Sequence, residues 1–577
     1  MKASANNLSR HLIPAIVLFV LGLWSVRALF HPGLYTAHDI WHNVARLYWY
    51  AQALSQGEWL PAWISPLAGG YGYPLFIFSY PLPWLLGYPL VAVGISIEIA
   101  LKILYGSSFV ASGLLMYGFG FRMFRSRLAA LATGVLYMIA PYHFLTTFVS
   151  AATGIAVSYA LIPLLFWGIW EIGQEKYQRG SILLALGLAG VITSHLILAV
   201  MLSLFALMWS LFILLKTKRK LLALKHIGFG GMIGLGVAAF YLIPFAAYAN
   251  LIRAQDPGAG FANLYATNFA SIKQLLYAPW GFGPIISNAK DGEISLQVGV
   301  AQWLAFFLVT LLFGAQILLI GVQRQFSVVY ELLNKKEQAR RKKYATGRVL
   351  YLLYALSVFA IWELSKPLWD MAAQVMPLDY PFRLLVVTVL FGSLLAGWVI
   401  RSARWQMLRL VLTGVFIAVA VYTNRNHLRV NLYTSIPISD YVQAEKTTNT
   451  MDEYLPLVAD RRLLNEPYRF VEPSQKISQA TQTLNETKLT IEASQSATVT
   501  LGQWQFPGQT VFLNNKELMT KTAADGRIEI ELPEGVHEVI ISYQKGFPFK
   551  VGLVVTGISV LLLLGAPIMQ LYRKKQS

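Results

Sequence analysis

The sequence predicts a polytopic α-helical membrane protein of about twelve transmembrane helices with a C-terminal, extracytoplasmic β-sandwich-like domain. Three observations predict it. The 577 residues are 56% hydrophobic and only 13% charged, about half the charge of an ordinary soluble domain. Apolar runs near the length needed to cross a bilayer, about 20 residues, recur along the chain. Between the eleventh and twelfth runs lies a long polar stretch with strand periodicity.

The runs are Ile13 to Leu29, Ile97 to Phe121, Leu128 to His143, Ala152 to Glu171, Ser181 to His195, Leu196 to Leu215, Ile227 to Tyr248, Gln297 to Val322, Val349 to Glu363, Leu384 to Ile400, Leu408 to Tyr422 and Val551 to Leu571. The first follows Lys2 and Arg10 and lacks an A-x-A-type cleavage site, so it reads as a retained signal anchor. A formal net charge of +19 does not point to nucleic acid. The cations cluster beside apolar runs, in Arg122 to Arg127, Lys216 to Lys225, Lys335 to Lys343, Arg401 to Arg404 and the Arg573-Lys574-Lys575 tail. With both termini cytoplasmic, every one of these basic loops falls on the cytoplasmic face. Phe78 to Gly94 is apolar but is broken by Pro81, Pro83, Gly87 and Pro89, and reads as an interfacial or re-entrant segment. The predicted units are a membrane module 1–423 with outer loops 31–95 and 249–296, a β-rich domain 424–547, and a final span with a basic tail 548–577.

Within the β-rich domain, Lys488–Glu492, Ala497–Leu501, Thr510–Leu513, Arg527–Leu532 and His537–Tyr543 alternate apolar and polar residues, with turns at Asn514-Asn515, Asp525-Gly526 and Pro533–Gly535. A small antiparallel sandwich is expected. There is no cysteine, which excludes disulfides, zinc–thiolate sites and a thiol nucleophile.

Candidate chemistry concentrates in the first outer loop. Asp39 and His42 stand three apart, on one face of an expected helix that opens after Tyr35-Thr36-Ala37-His38. A carboxylate beside an imidazole at the membrane surface can act as a general base, or hold a metal together with a phosphate. Equally consistent with the residues, Thr36 caps the helix and Asp39 is an ordinary first-turn acid. Downstream, Gly69-Gly70-Tyr71-Gly72-Tyr73-Pro74 offers aromatic faces suited to a sugar ring or to a lipid interface. Glu98 and Lys102, four apart, are expected to pair. Asp256, Asp291 and Glu293 in the second outer loop are candidates to complete a metal or acceptor site, or are solvated loop charges. Asp452 and Glu453 read as residues that dock the polar domain onto the helices.

Taken in order, His38-Asp39 with His42, Gly57-Glu58-Trp59-Leu60-Pro61-Ala62-Trp63, Gly70 to Phe76, Pro81-Leu82-Pro83, Ala140-Pro141-Tyr142-His143, Thr193-Ser194-His195, Gln297-Val298-Gly299, Tyr380-Pro381-Phe382-Arg383, Asp452 to Pro456 and Phe506-Pro507-Gly508 carry a resemblance. It is to large bacterial membrane proteins labelled "6-pyruvoyl-tetrahydropterin synthase-related", similar to the GT-C glycosyltransferase superfamily and its YfhO-like relatives. The pterin label implies no activity here, because that chemistry needs a zinc site of several His ligands and the nine His are dispersed. The resemblance implies a GT-C-like transferase in the bacterial plasma (inner) membrane. It would move a sugar from a polyprenyl-phosphate donor to a glycan, lipid or protein acceptor at the outer face.

Asp39 would be the catalytic acid, with His38 and His42 beside it. Glu58, Tyr71, Tyr73, His143, His195 and Arg383 would bind substrate, Arg383 pairing with phosphate or anchoring to lipid headgroups. No tightly bound organic cofactor is implied, and the cofactor is open between none and a divalent metal. The resemblance also places an Arg and a Glu at the outer end of the fourth span, where Val149 to Gly154 carries no charge. The competing classes are a transporter or flippase for lipid-linked substrates, disfavoured by the lack of internal repeats, and a non-catalytic envelope scaffold.

Overall fold

The computed structural model describes residues 2–255, 261–284, 293–324, 327–374 and 378–576. All twelve predicted apolar runs coincide with helix. Eight helices among the described residues are long and apolar enough to cross a membrane, or nine if one bent pair counts as a span. The chain is by that measure a multi-pass helical membrane protein. Four of the twelve runs are not among the eight: Ile13 to Leu29 and Gln297 to Val322 count only as the shorter apolar helices Arg10–Ser25 and Val300–Ala315, Ser181 to His195 falls short by the same measure, and Leu128 to His143 is the bent pair. Arg127–Met138 and Pro141–Val149 meet at 43°, because Pro141 has no N–H and holds Ala140 extended (φ −69°, ψ 147°). The Ile227 to Tyr248 run is divided at Ala238 into Lys220–Val237 and Ala239–Tyr248. Pro244 cannot donate to residue 240, and the Phe240 N–H goes to the Thr556 hydroxyl of the C-terminal helix Phe547–Gln576. The basic run Lys335 to Lys343, expected as a loop, is helical backbone inside Ser327–Ile361. Its Lys, Glu, Gln, Ala and Arg residues are strong helix formers. The Pro-broken stretch yields an 11-residue helix, Leu82–Ala92, roughly 16 Å long and too short to span.

Leu385–Ser402 lies at the centre of the bundle, with Leu385 to Ile400 buried on every side, as its nearly unbroken apolar sequence requires. Thr153–Gly173 and Tyr177–Ser194 pack so closely that a Cβ on Gly168 would meet the Leu184 nitrogen at 2.3 Å and one on Gly187 the Leu165 nitrogen at 2.4 Å. Small residues take the place of hydrophobic driving force between helices in lipid.

One end of the bundle gathers the cations. Arg122 grips Glu171 with two hydrogen bonds (2.5 and 2.7 Å), and the Trp167 indole N–H donates to the same carboxylate. Arg401 donates to the Phe124 carbonyl, Arg127 to that of Arg10, and the Lys216 ammonium lies over Trp170. Glu171 is fully buried, and removing one partner of a buried pair strands the other charge. Glu171→Ala is therefore expected to destabilise the protein by about 3 kcal/mol, read as a lowered unfolding temperature in detergent, while Arg122→Leu/Glu171→Leu recovers most of the loss.

At the opposite end, Leu34–Tyr35 (β1) pairs with Tyr433–Thr434 (β2). The sandwich begins at Val471: one sheet has the order β3 (Val471–Glu472), β6 (Ala497–Trp504), β10 (Arg527–Leu532), β9 (Lys521–Thr522). The other runs β4 (Lys476–Gln482), β5 (Glu486–Ala493), β11 (Gly535–Tyr543), β7 (Gln509–Leu513), β8 (Lys516–Leu518). All ladders are antiparallel, and Leu489, Ile491, Val499, Leu501, Val511, Ile528, Ile530, Val539 and Ile541 fill the space between the sheets. The five predicted strands are all present. Residues 425–470, predicted as part of the domain, instead lace back across the first outer loop through β2 and the Ile438–Ala444 helix.

The glycine–aromatic loop is the joint between sandwich and bundle. Gly70 O accepts from the Gln482 and Gln503 amides, Tyr71 O accepts the Trp504 N–H, and Trp63 stacks on Tyr543 at 5.7 Å. Gly72 (φ +88°) is required by that joint, since a Cβ there would sit 2.2 Å from the Trp63 ring. The loop's aromatics are thus packed against protein rather than presented to sugar or lipid.

Candidate functional site

Asp39 occupies the N-cap position of helix Ile40–Ser55, and its side chain makes no cap hydrogen bond. The carboxylate forms no hydrogen bond or ion pair with any described residue. Thr36, the alternative cap, has a buried hydroxyl without a partner. The backbone holds Asp39 in place. Leu145–Val149 is a π-helical turn, and the carbonyls it leaves outside the ladder accept His38 N–H (Val149 O, 3.0 Å) and Asp39 N–H (Ser150 O, 2.9 Å). A π-bulge widens the helix and frees such carbonyls.

Asp39 faces a cavity of about 310 Å³ between the helix ends and the segment that laces back from the sandwich. His42 and Arg46 line it from the same helix as Asp39, at the i, i+3, i+7 positions of one face. The Arg46 guanidinium is buried and donates to the Thr448 carbonyl (2.6 Å), the Thr448 hydroxyl (3.3 Å) and Asn449 Oδ1. No described carboxylate pairs with it. Across the cavity, Arg383 pairs with Asp379 four residues before it. Burial pushes the Asp379 carboxyl up, outweighing the pull of Arg383.

His195 closes another wall. Its Nδ1 caps the next helix by accepting Leu198 N–H (3.2 Å), so the neutral ring carries its proton on Nε2. Tyr80 stacks on His195. Glu453 completes the lining, and burial raises its carboxyl above the usual range despite the positive charge of Arg46. Thr448 (φ +57°) and Asp452 (φ +52°) are left-handed non-glycine residues flanking the stretch that carries Asn449, Thr450 and Met451 to the cavity wall. The remaining lining is apolar, including Ile155, Leu196, Ile197, Phe245 and Phe382.

Of the nine predicted site residues, Asp39, His42, His195 and Arg383 meet in this cavity. The other five do not line it. His38 turns away, with Nε2 2.8 Å from the Gly283 carbonyl, and burial lowers its imidazole pKa. Glu58 pairs with Lys545 at the sandwich joint. Tyr71 packs on Trp504 and Tyr468 in the same joint. Tyr73 is buried behind the cavity wall, where its hydroxyl accepts Tyr454 N–H (3.0 Å) and the Asn449 amide (3.1 Å). His143 is fully buried between Phe109 and Tyr159 and donates to the Met138 carbonyl. Glu98 and Lys102 pair as expected, at 2.7 Å. Asp256 and Asp291 lie outside the described residues.

Arg46, Asp379 and Glu453 are cavity residues that sequence reasoning did not assign to a site. Arg46 had a signal, since the face defined by Asp39 and His42 continues to it after one more turn. Asp452, expected to dock the polar domain onto the helices, bonds instead within its own segment, to Thr447 and Arg461 (both 2.7 Å), whereas Glu453 beside it faces the cavity. The uncharged Val149 to Gly154 stretch contributes Ser150 and Ala152 to the wall, and the cations come from Arg46 and Arg383. Among the described residues no group of three or more His, Asp or Glu is placed to hold a metal ion.

Fold and site together define a multi-pass membrane protein with a charged cavity at the bundle end that carries a β-sandwich. No family model matches the chain. It is 24% identical over 239 residues to an uncharacterized protein of Lactococcus lactis subsp. cremoris (strain MG1363), a match covering 40% of this chain and 38% of that protein. Among solved structures it is similar to the arabinofuranosyltransferase AftD from Mycobacteria, with a TM-score of 0.44 and 13% identity over 73% of this chain. The chain spans 27% of the length of that transferase.

Proposed function

We propose that the protein is a GT-C-type glycosyltransferase that moves a sugar from a polyprenyl-phosphate donor to a cell-envelope acceptor. The observation that carries the reading is the Asp39 carboxylate, held by backbone bonds alone and facing a cavity that also holds Arg46 and Arg383. Asp39 draws the proton from the acceptor hydroxyl as its oxygen attacks the anomeric carbon. The bond from that carbon to the phosphate oxygen breaks, and the leaving phosphate keeps the electron pair. Arg46 and Arg383 stabilise its charge. The apolar walls suit the first isoprene units of the lipid.

The cation-rich end of the bundle faces the cytoplasm in this reading. The sandwich and cavity then lie outside the bacterial plasma membrane, with both chain termini inside. The absence of cysteine makes this directly testable. Met519 is 98% exposed on the sandwich, so Met519→Cys is expected to react with an impermeant maleimide in intact spheroplasts, and Ser577→Cys only after permeabilisation. The reverse pattern inverts the topology.

The activity itself is tested with the full chain in vesicles containing radiolabelled undecaprenyl-phosphate pentoses and hexoses and a glycan acceptor pool. Label is expected to leave the lipid and appear on the acceptor. Label that crosses between leaflets still attached to lipid, with no product, replaces the transferase reading with a transporter.

A further inference from the structure

One polar pair at the cavity has no role in the step above. His42 Nδ1 lies 2.6 Å from Glu445 Oε2, and its Nε2 lies 3.3 Å from the Thr450 hydroxyl. A carboxylate oxygen that close to Nδ1 places the ring proton there. Nε2 is left with a lone pair, into which the Thr450 hydroxyl donates. The two partners fix one tautomer, the arrangement in which a carboxylate raises the basicity of the opposite ring nitrogen. His42 and Glu445 are 16% and 14% exposed, so the pair stands at the boundary between cavity and solvent.

We infer that His42 and Glu445 form a proton exit for the cavity, in which His42 Nε2 takes the proton that Asp39 acquires and releases it to water. The inference rests on the transferase reading for its chemistry. After the acceptor oxygen has bonded to the sugar, its proton sits on Asp39, and the carboxylate must be cleared before the next turnover. Asp39 and His42 are one helical turn apart, with Cβ atoms about 5–6 Å from each other, a gap that one water bridges. The proton moves from the Asp39 carboxyl to Nε2, giving an imidazolium whose Nδ1–H remains on Glu445. Thr450 Oγ1 then accepts the Nε2–H rather than donating. The proton next leaves to bulk water and the neutral tautomer returns. No redox partner is needed, and each transfer restores one group as it charges the next.

The charged and titratable groups facing His42 are Asp39 and Arg46 on its own helix, and Glu445 and Glu453 on the segment packed across from it. Glu445 is a positioning residue in this scheme, since its carboxylate bonds to His42 and not to the reacting groups.

The test uses the full chain in nanodiscs and measures the rate at which diethyl pyrocarbonate modifies His42, by peptide mass spectrometry between pH 5 and 8.5. That reagent reads the neutral imidazole whether or not a donor is present. Glu445→Gln and Asp39→Asn are each expected to move the His42 inflection down by about 1 pH unit. Glu445→Asp should keep it near wild type. In the transfer assay, the acid limb of the rate profile should move with the same inflection in Glu445→Gln. An inflection unmoved by Asp39→Asn overturns the exit, because the two groups are then uncoupled. Wild-type protein that transfers nothing from any donor while the inflections shift as expected overturns the transferase reading and with it the exit's catalytic role, leaving only the coupling. A rate profile unmoved in Glu445→Gln, in a protein that does transfer, overturns the exit while sparing the transferase.

Discussion

Asp39→Asn is expected to abolish sugar transfer while leaving the fold intact. The side chain accepts no hydrogen bond from its own helix, and the backbone bonds that hold it, to Val149 O and Ser150 O, do not involve the carboxylate. The amide is nearly isosteric and still tolerated at an N-cap, so thermal unfolding in detergent should match wild type. It cannot take a proton from an attacking hydroxyl, and a positioned general base contributes about 10²- to 10⁴-fold. The measurement is single-turnover transfer of labelled sugar at saturating donor, which separates chemistry from binding. A variant that retains wild-type turnover removes Asp39 from the mechanism and returns it to the role of a first-turn acid. Loss of turnover together with a large drop in unfolding temperature would make the residue structural.

The second large effect is expected at Arg46. Its guanidinium is buried against Thr448 and Asn449 and forms no ion pair with a carboxylate among the described residues, Asp39 and Glu453 acting on it only at longer range, whereas Arg383 already has Asp379. A buried cation without a directly paired anion is costly, and a donor phosphate in the cavity supplies that partner. Arg46→Gln keeps a donor for the Thr448 carbonyl and removes the charge. Hydrogen bonds to charged groups contribute about 1.5–3 kcal/mol, so donor KM should rise by about 10- to 100-fold, with a smaller change in kcat. Arg46→Lys should recover only part of the loss, since an ammonium cannot hold Thr448, Asn449 and a phosphate in one plane. Equal donor KM in wild type and Arg46→Gln, measured in the vesicle assay, places the phosphate elsewhere.

Much of the architecture was legible because its signals are local. A helix in lipid must satisfy its own backbone, so apolar length alone marks it, and every marked run is helical. The strands of the sandwich announced themselves through alternation with period two. β4 did not, because most of its side chains are exposed on both faces, nor did β3, β8 and β9, which are too short to show a period. The basic helix at Lys335 to Lys343 was misread because charge suggests a loop, while the propensities of the same residues favour helix. The breaks at Ala140 and Ala238 were also missed, although Pro141 stands beside the first and Pro244 follows the second by six residues. Proline inside an apolar run is compatible with either a kink or a break, and at Ala238 the break also depends on the Thr556 hydroxyl of the C-terminal helix receiving the Phe240 N–H.

The candidate site divides along the same line. Asp39, His42 and Arg46 are a helix-face pattern, available from residue spacing, and Arg383 sits in a segment marked by its Pro-Phe-Arg run. Joining the Asp39 helix face to His195, to Arg383 with its neighbour Asp379, and to Glu453 needed the bundle, since each of these lies over a hundred positions from that helix in the chain. Glu58, Tyr71 and Tyr73 looked like ligand-facing residues because aromatic and acidic groups near glycines suit both a sugar and a domain joint. Only the packing of Trp504, Gln503 and Tyr468 against that loop distinguishes the two.

The sequence alone determined that this chain is a membrane-embedded helical protein with a strand-rich polar domain before its last helix, and that Asp39 and His42 share a helix face. These follow from composition and periodicity, which are properties of neighbouring residues. The tertiary structure decided that residues 425–470 fold back to wall a cavity, that Arg46 has no ion-pair partner among the described residues, and that the glycine–aromatic loop is a joint rather than a binding surface. Each of those depends on which distant groups are brought within a few ångströms, a distance that local patterning does not encode.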